Sequence, residues 1–165
     1  MQTLKQAVLL CCALLAFTAT AVTKASEQTT PEATFRAGTA EWMAAYNAGN
    51  ADRIVALYAD DAVVMPPDAP AAKGHAAIRD FITKDMAGAK AAGVTLKDVS
   101  SEAGTSGDLG WHAGRFQVVD TTGKTVVTGK YAEVWQRQKG QWRIIQDIWN
   151  NDAPAAAATS PKAAE

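Results

Sequence analysis

The apolar positions in the first half of the chain recur every three or four residues, which is the spacing of helices. The first predicted helix begins near Pro31 and ends at Gly49, and its buried face consists of Phe35, Thr39, Trp42, Met43 and Tyr46. A short second helix, capped by Asn50, ends at the acidic pair Asp60-Asp61. After a short extended piece and a proline-rich loop, a third helix spans about residues 75–92.

From Gly93 onward the apolar positions alternate, which is typical of strands. Four strands are predicted, over residues 94–101, 109–120, 125–138 and 141–150. Turns that contain glycine separate them, and strands joined by short turns pair antiparallel. The sequence therefore predicts an α+β domain in which three helices pack on one face of a curved antiparallel sheet.

Both ends of the chain differ in composition from this domain. Residues 1–25 resemble a secretory signal peptide, with Lys5 near the start, an apolar run over residues 7–17 and small residues before two candidate cleavage sites, Ala21 and Ala25. The apolar run is short for a membrane anchor. Residues 153–165 are rich in Ala and Pro without apolar periodicity, which predicts a disordered tail. The folded domain is expected to span residues 26–152.

The signal segment predicts an exported protein, either periplasmic in a bacterium or secreted. Both cysteines, Cys11 and Cys12, lie in this segment, so the mature protein is expected to have neither a disulfide nor a thiolate nucleophile. Two of the 16 basic residues, Lys5 and Lys24, lie there as well, which leaves 14 basic residues against 17 acidic ones. This balance provides no basic surface for nucleic acid. No contact with a membrane is expected after cleavage.

Several short motifs occur in an order typical of one known fold. They are Trp42-Met-Ala-Ala-Tyr-Asn-Ala-Gly-Asn50, Ala56-Leu-Tyr-Ala-Asp-Asp-Ala62, Gly114-Arg-Phe116, Tyr131-x-x-x-Trp135 and Trp142-Arg-Ile-x-x-Asp147-x-Trp149-Asn150. Through these motifs, residues 31–152 resemble the SnoaL-like branch of the nuclear transport factor 2-like superfamily. The resemblance implies a cone-shaped fold, and this fold carries many different functions.

Ketosteroid isomerases share this fold and the Tyr-Ala-Asp-Asp-Ala run. Where that family has its general base, this chain has Pro66, and where the family has a tyrosine on the first helix, this chain has Trp42. The resemblance aligns the family's protonated aspartate with Glu133 and its pocket tryptophan with Trp149. The two departures argue against isomerase chemistry of that type.

Asp147 is the first of three candidate catalytic residues. Alternation along the last strand places it on one face with Arg143, Ile145 and Trp149, and the resemblance implies that this face lines the interior of the cone. A carboxyl group between Ile145 and Trp149 would be desolvated, and its pKa would rise towards the range useful to an acid or base. In the alternative interpretation, an arginine such as Arg143 or Arg115 neutralises Asp147.

Glu133 and His112 are the other two candidates. Glu133 shares a strand face with Tyr131 and Trp135, so an inward orientation would make it a polar group in an aromatic pocket. An outward orientation would leave it in a surface ion pair. A neutral His112 opposite Asp147 would form an acid–base dyad, and the alternative is an ordinary structural histidine.

The predicted ligand-binding residues are Trp42, Tyr46, Tyr131, Trp135, Ile145 and Trp149. Aromatic residues at this spacing also form ordinary cores. The two histidines lie far apart in sequence and in unlike contexts, so no metal site is predicted. No cofactor is expected, and the sequence contains no glycine-rich phosphate loop.

Two functions are compatible with these residues. In the leading hypothesis, the cone holds a small, mostly apolar ligand of unknown identity, and Asp147, Glu133 and His112 supply acid–base catalysis without a cofactor. The resemblance implies isomerisation, aldol-type cyclisation or hydration. In the alternative, the protein is a non-catalytic module that binds a metabolite or a protein. The resemblance implies a homodimer through the open face of the sheet in both cases.

Overall fold

A computed structural model describes residues 29–153 of the chain. The predicted signal segment, residues 1–25, and the predicted tail beyond residue 153 lie outside the described residues. Within residues 29–153, none of the helices combines the length and the apolar character needed to cross a bilayer.

The helices lie where the apolar spacing predicts them, and they are α1 (Pro31–Asn47), α2 (Ala51–Val55) and α3 (Gly74–Ala92). The side chain of Thr30 accepts a hydrogen bond from the N–H of Ala33, and Pro31 occupies the first turn, so α1 begins with a cap and a favourable residue. The side chain of Asn50 accepts from the N–H of Arg53 and begins α2, as predicted.

The strands form one open sheet, and they are β1 (Tyr58–Met65), β2 (Ala72–Lys73), β3 (Thr95–Ser106), β4 (Leu109–Val119), β5 (Thr125–Gln138) and β6 (Gln141–Asn151). Their order across the sheet is β2-β1-β6-β5-β4-β3. The pairs from β3 to β6 are antiparallel, as short turns require, and β1 runs parallel to β6. The predicted α+β architecture is therefore confirmed.

The hydrophobic core lies between the helices and the concave face of the sheet. Trp135 of β5 is 2% exposed and stacks on Phe35 of α1 at a centroid distance of 5.1 Å. A Cβ atom at Gly38 would lie 2.4 Å from Cη2 of Trp135, so only glycine leaves room for the indole there. This close approach fixes α1 against β5 above the middle of the sheet.

A β-bulge in β6 determines which of its side chains face the helices. On one side of the bulge, Ile144 pairs with Trp135, and on the other side, Asp147 pairs with Glu133. Ile145 lies between these pairs and has no partner in the ladder. One extra residue reverses the alternation of a strand, so Ile144 and Asp147 both face inward although three positions separate them.

Because of the bulge, the inward face of β6 differs from the predicted one. Unbroken alternation places Arg143 and Ile145 beside Asp147, and that prediction is wrong. The inward residue near the start of the strand is instead Trp142, whose ring packs edge-on against Phe35 at 5.0 Å. The sequence pattern cannot show the bulge, because a bulge depends on the register with the neighbouring strand.

Two predicted boundaries also differ. The acidic pair Asp60-Asp61 lies within β1, not at the end of α2, because pairing with β6 extends the strand back to Tyr58. Both acids are exposed in a stretch where the register with β6 is irregular. The strand predicted over residues 94–101 continues to Ser106, so its turn to β4 contains only Gly107 and Asp108.

Candidate functional site

A cavity of about 730 Å³ lies between the helices and the concave face of the sheet. This volume falls in the range of small-molecule sites. Most of its walls are apolar, and six aromatic side chains contribute to them: Trp42, Tyr46, Phe81, Phe116, Tyr131 and Trp149. The acids on its inner wall are Glu133 and Asp147, which are neighbours on β5 and β6.

Asp147 belongs to a chain of hydrogen bonds that starts on α1. The indole N–H of Trp42 donates to the hydroxyl oxygen of Tyr58 at 2.9 Å, and the Tyr58 hydroxyl donates to Oδ2 of Asp147 at 2.5 Å. Each donor in this chain has a single hydrogen, so the direction of the bonds is fixed. Among the described residues Oδ1 of Asp147 has no hydrogen-bond partner, and this oxygen is available to a ligand.

The surroundings of Asp147 favour its protonated form. Burial raises the pKa of Asp147 to about 8, the negative charge of Glu133 adds to the rise, and the bond from Tyr58 opposes it. Burial and the charge of Asp147 also raise the pKa of Tyr58 well above its ordinary value, so Tyr58 stays a hydrogen donor. A carboxyl group that titrates near neutral pH is suited to giving and taking protons.

Glu133 is held by three buried side chains. The indole N–H of Trp135 donates to Oε2 at 2.9 Å, and the Thr39 hydroxyl lies 3.2 and 3.1 Å from the two carboxyl oxygens. Nδ1 of His112 lies 2.8 Å from the Thr39 hydroxyl and 3.3 Å from Oε2. One arrangement satisfies these groups: Nδ1–H of His112 donates to Thr39, and Thr39 donates to Glu133. Glu133 is thus fixed by the protein itself.

The predicted dyad of His112 and Asp147 is not formed. His112 lies on β4 and Asp147 on β6, and Glu133 of β5 occupies the position between them. His112 is 1% exposed, and its Nε2 has no hydrogen-bond partner among residues 29–153. The histidine therefore reaches Glu133 but not Asp147.

A second tyrosine–acid pair lies on the helical side of the cavity. The hydroxyl of Tyr46 donates to Oδ2 of Asp85 on α3 at 2.5 Å. The ring of Tyr46 stacks on Trp42 at 5.2 Å, with 11° between the planes. This stack holds the indole of Trp42 in the orientation that it needs to reach Tyr58.

The structure brings most of the predicted site residues together around the cavity: Trp42, Tyr46, Tyr131, Glu133, Asp147 and Trp149. Trp135 packs in the core beneath it, and His112 lies behind Glu133. Ile145, predicted as a ligand contact, lies at the bulge and outside the cavity wall. Of the two orientations that the sequence left open for Glu133, the structure shows the inward one, because Glu133 and Tyr131 are both buried.

The proposed arginine partners of Asp147 bind elsewhere. Arg115 forms an ion pair with Asp152 at 2.6 Å, and Arg143 donates to the side chain of Gln141 at 2.6 Å. Asp147 is therefore not neutralised by either arginine. Among residues 29–153, no group of three or more His, Cys, Asp or Glu side chains is arranged to hold a metal ion.

Sequence reasoning missed Tyr58 and Thr39 as parts of the site. Tyr58 lies at the start of β1, and its partner Asp147 lies 89 positions away in the chain, so the local pattern gives no sign of this contact. Thr39 gave a usable signal, because a hydroxyl on the apolar face of a helix needs a buried partner.

Comparison with known proteins agrees with this fold. The family model for the SnoaL-like domain matches residues 39–145. A comparison with curated proteins finds no similar sequence.

Several solved structures are similar to this fold at low sequence identity. A nuclear transport factor 2-like protein with a cystatin-like fold from Novosphingobium aromaticivorans is 20% identical, with 75% of this chain and 83% of that chain covered at a TM-score of 0.66. A nuclear transport factor 2-like protein of unknown function from Pseudomonas putida is 23% identical over 72% and 84% of the two chains, with a TM-score of 0.65. A ketosteroid isomerase-like protein from Erwinia carotovora is 18% identical over 78% and 99%, with a TM-score of 0.58. These similarities support the fold alone, and any chemistry has to be argued from the residues of the site.

Proposed function

Since the chain belongs to the SnoaL-like domain family, we propose that its cavity binds a small, mostly apolar molecule and that Asp147 exchanges a proton with it without a cofactor. The observation that carries this proposal is the unpartnered Oδ1 of a buried acid at the wall of an apolar cavity. The pKa of Asp147, raised to about 8 by burial, makes both of its protonation states accessible near neutral pH.

The hydrogen-bond chain assigns a role to each group. A polar atom of the ligand at Oδ1 receives the proton of Asp147, and the hydroxyl of Tyr58 stabilises the carboxylate that remains. The indole of Trp42 orients Tyr58, so Trp42 is a positioning residue in this scheme. Abstraction of a proton from a different atom of the ligand by that carboxylate would complete an isomerisation and restore protonated Asp147. Acid–base exchange at this carboxyl group would also serve aldol-type cyclisation and hydration.

The second candidate function is passive binding, and the state of Glu133 favours it. Glu133 is occupied by Thr39, Trp135 and His112, so only Asp147 retains an oxygen for a ligand. One acid can anchor a polar group of a ligand without transferring a proton. In a passive module, Asp147 would contribute a hydrogen bond and nothing further.

Hydrogen–deuterium exchange into bound ligands separates the two functions. We expect the wild type to catalyse exchange of acidic C–H protons in D2O for at least one member of a panel of apolar ketones, measured by NMR. The Asp147→Asn variant should lose this activity by about 10²–10⁴-fold, which is the range of general acid–base catalysis. The Asp61→Asn variant, altered at an exposed acid outside the cavity, is the matched control.

The possible outcomes are distinct. Exchange that persists unchanged in Asp147→Asn would show that this residue is not the acid or base. Binding without exchange in the wild type would favour the passive module. Loss of exchange in Asp61→Asn as well would point to a general effect on the fold.

We infer that the protein forms a homodimer through the outer face of the sheet. Trp111 of β4 and Ile148 of β6 are 45% and 46% exposed on the face away from the helices, and large apolar side chains exposed on the same face of a sheet are suited to contact with a second copy. Sedimentation velocity should give a dimer for the wild type and a monomer for Trp111→Glu, because a buried unpaired charge opposes association. A wild-type monomer at micromolar concentration would contradict this inference.

A further inference from the structure

Four inward-facing side chains form a compact patch on the concave face of the sheet. Tyr131 pairs with Trp149, and Glu133 pairs with Asp147, at successive inward positions of β5 and β6. All four line the cavity. Two carboxyl groups therefore lie side by side, directly next to two aromatic rings.

Aromatic rings also enclose this patch from the helical side. Trp42 contacts the Tyr58 hydroxyl that binds Asp147, so its indole lies close to the acid. Phe81 of α3 packs on Trp149 with 5.9 Å between ring centroids. The faces of such rings carry negative potential and attract cations.

The charges on the cavity wall are predominantly negative. Among the described residues that line the cavity, Lys84 is the one basic side chain, and it is exposed on α3. The imidazole of His112 lies on the side of Glu133 away from Asp147 and does not line the cavity. The ion pairs of the described residues do not include Asp147, so Lys84 does not neutralise it.

We propose that the ligand of this cavity presents a basic nitrogen to Asp147 and is held there as a cation by the two acids and the aromatic walls. The proposal rests on the proposed function and names its ligand class: an apolar compound with one amine or imine nitrogen. A nitrogen that arrives neutral uses its lone pair to form an N–H bond as the O–H bond of Asp147 breaks, and the electron pair of that bond stays on the carboxylate. When the nitrogen arrives already protonated, the proton of Asp147 leaves to the solvent, and the same ion pair results.

A neutral oxygen and an anion fit the same place less well. An oxygen atom accepts a hydrogen bond from protonated Asp147, but the product has no positive charge to offset Glu133 and Asp147. An anion meets the like charge of Glu133. A nitrogen cation is instead attracted by both carboxylates, and its positive charge offsets the repulsion between them.

Three probes with the same apolar body and different charges test this inference: 2-naphthylmethylamine, 2-naphthylmethanol and 2-naphthoic acid. Isothermal titration calorimetry at pH 7 should show the amine binding more than about tenfold tighter than either of the others, because only a cation gains both ring and carboxylate contacts. Since the amine is already protonated in water at this pH, its binding should displace the proton of Asp147 to the buffer. Titrations in buffers with different ionisation enthalpies should show that release.

Asp147 must be distinguished, as the source of the released proton, from the other titratable groups near Glu133 and Asp147. These groups are His112 on β4, Tyr58 on β1, Tyr46 on α1, Tyr131 on β5, and Lys84 and Asp85 on α3. The Asp147→Asn variant should lose the proton release together with at least tenfold of the amine affinity. The Asp61→Asn control removes the same charge outside the cavity and should bind the amine as the wild type does.

Each other outcome overturns the inference in a recognisable way. Tighter binding of the alcohol would assign an oxygen ligand to Asp147 and leave the proposed proton exchange intact. Tighter binding of the acid would assign the dominant contact to Lys84. Equal amine affinity in Asp147→Asn and wild type would remove Asp147 from the binding site and contradict the proposed function as well. Failure of all three probes to bind at millimolar concentration would exclude this ligand class.

Discussion

The free energy of unfolding of the wild type should fall as the pH rises from 5 to 8, and Asp147→Asn should remove most of that fall. The pKa of Asp147 is about 8 in the folded state and near its ordinary value of 3.8 in the unfolded chain. Between these values the folded state binds more protons, so a rise in pH favours unfolding. The slope approaches about 1.4 kcal/mol per pH unit for one group.

Urea unfolding of both proteins at four pH values measures this effect. At pH 5 only the first part of the range between 3.8 and about 8 has been crossed, so the difference between the two proteins should be smallest there. At pH 8 the Asn variant should be the more stable protein, because it has no charge to bury. The acids whose pKa values are lowered by hydrogen bonds, such as Glu32 and Asp120, complete their titration below this window. Parallel pH profiles of the two proteins would contradict the raised pKa.

Replacing Glu133 by Ala should cost about 3–5 kcal/mol of unfolding free energy, as the loss of one partner in a buried polar cluster does. Without the carboxyl group, the indole N–H of Trp135 and the hydroxyl of Thr39 lose their acceptor. Each buried group left unpaired adds a desolvation cost. This substitution is expected to have the largest effect on stability.

The Glu133→Gln variant is the matched control for this experiment. It keeps an acceptor oxygen and nearly the same volume, so its loss of stability should be clearly smaller. It also removes the negative charge that contributes to the raised pKa of Asp147. The pKa of Asp147 should therefore be lower in Glu133→Gln than in the wild type, and the fall in stability with rising pH should be smaller. Equal losses for Ala and Gln would show that the hydrogen bonds of Glu133 contribute little.

Local pattern was sufficient to predict the fold. The three- and four-residue spacing around Trp42 and the alternation after Gly93 each reflect burial on one face, and burial is what separates helices from strands in a sequence. The first-turn residue Pro31 and the cap Asn50 predict the starts of α1 and α2 correctly, because such start signals depend only on neighbouring residues. The boundaries that failed, at Asp60 and Ser101, depend on pairing with distant strands.

The site was predictable only in part, for the same reason. Asp147 and Glu133 stood out as acids among aromatic residues, and both lie on the cavity wall. The partners of these acids were not readable, because Tyr58 and His112 reach them through contacts across the fold. Register between strands decides such contacts, and one sequence does not contain it.

The bulge at Ile145 means that the inward position of Asp147 depends on the register of β6 with β5 as well as on the identity of its residues. Ile144 of β6 packs in the core, and after one unpaired residue Asp147 faces the site. Removal of residue 145 would leave Ile144 and Asp147 two positions apart, so simple alternation would still turn both inward. Pairing of β6 at its present length without the bulge would instead turn Asp147 to the outer face, with every residue of the site still present in the sequence. A change of register alone would therefore inactivate the site without altering a single residue that lines it.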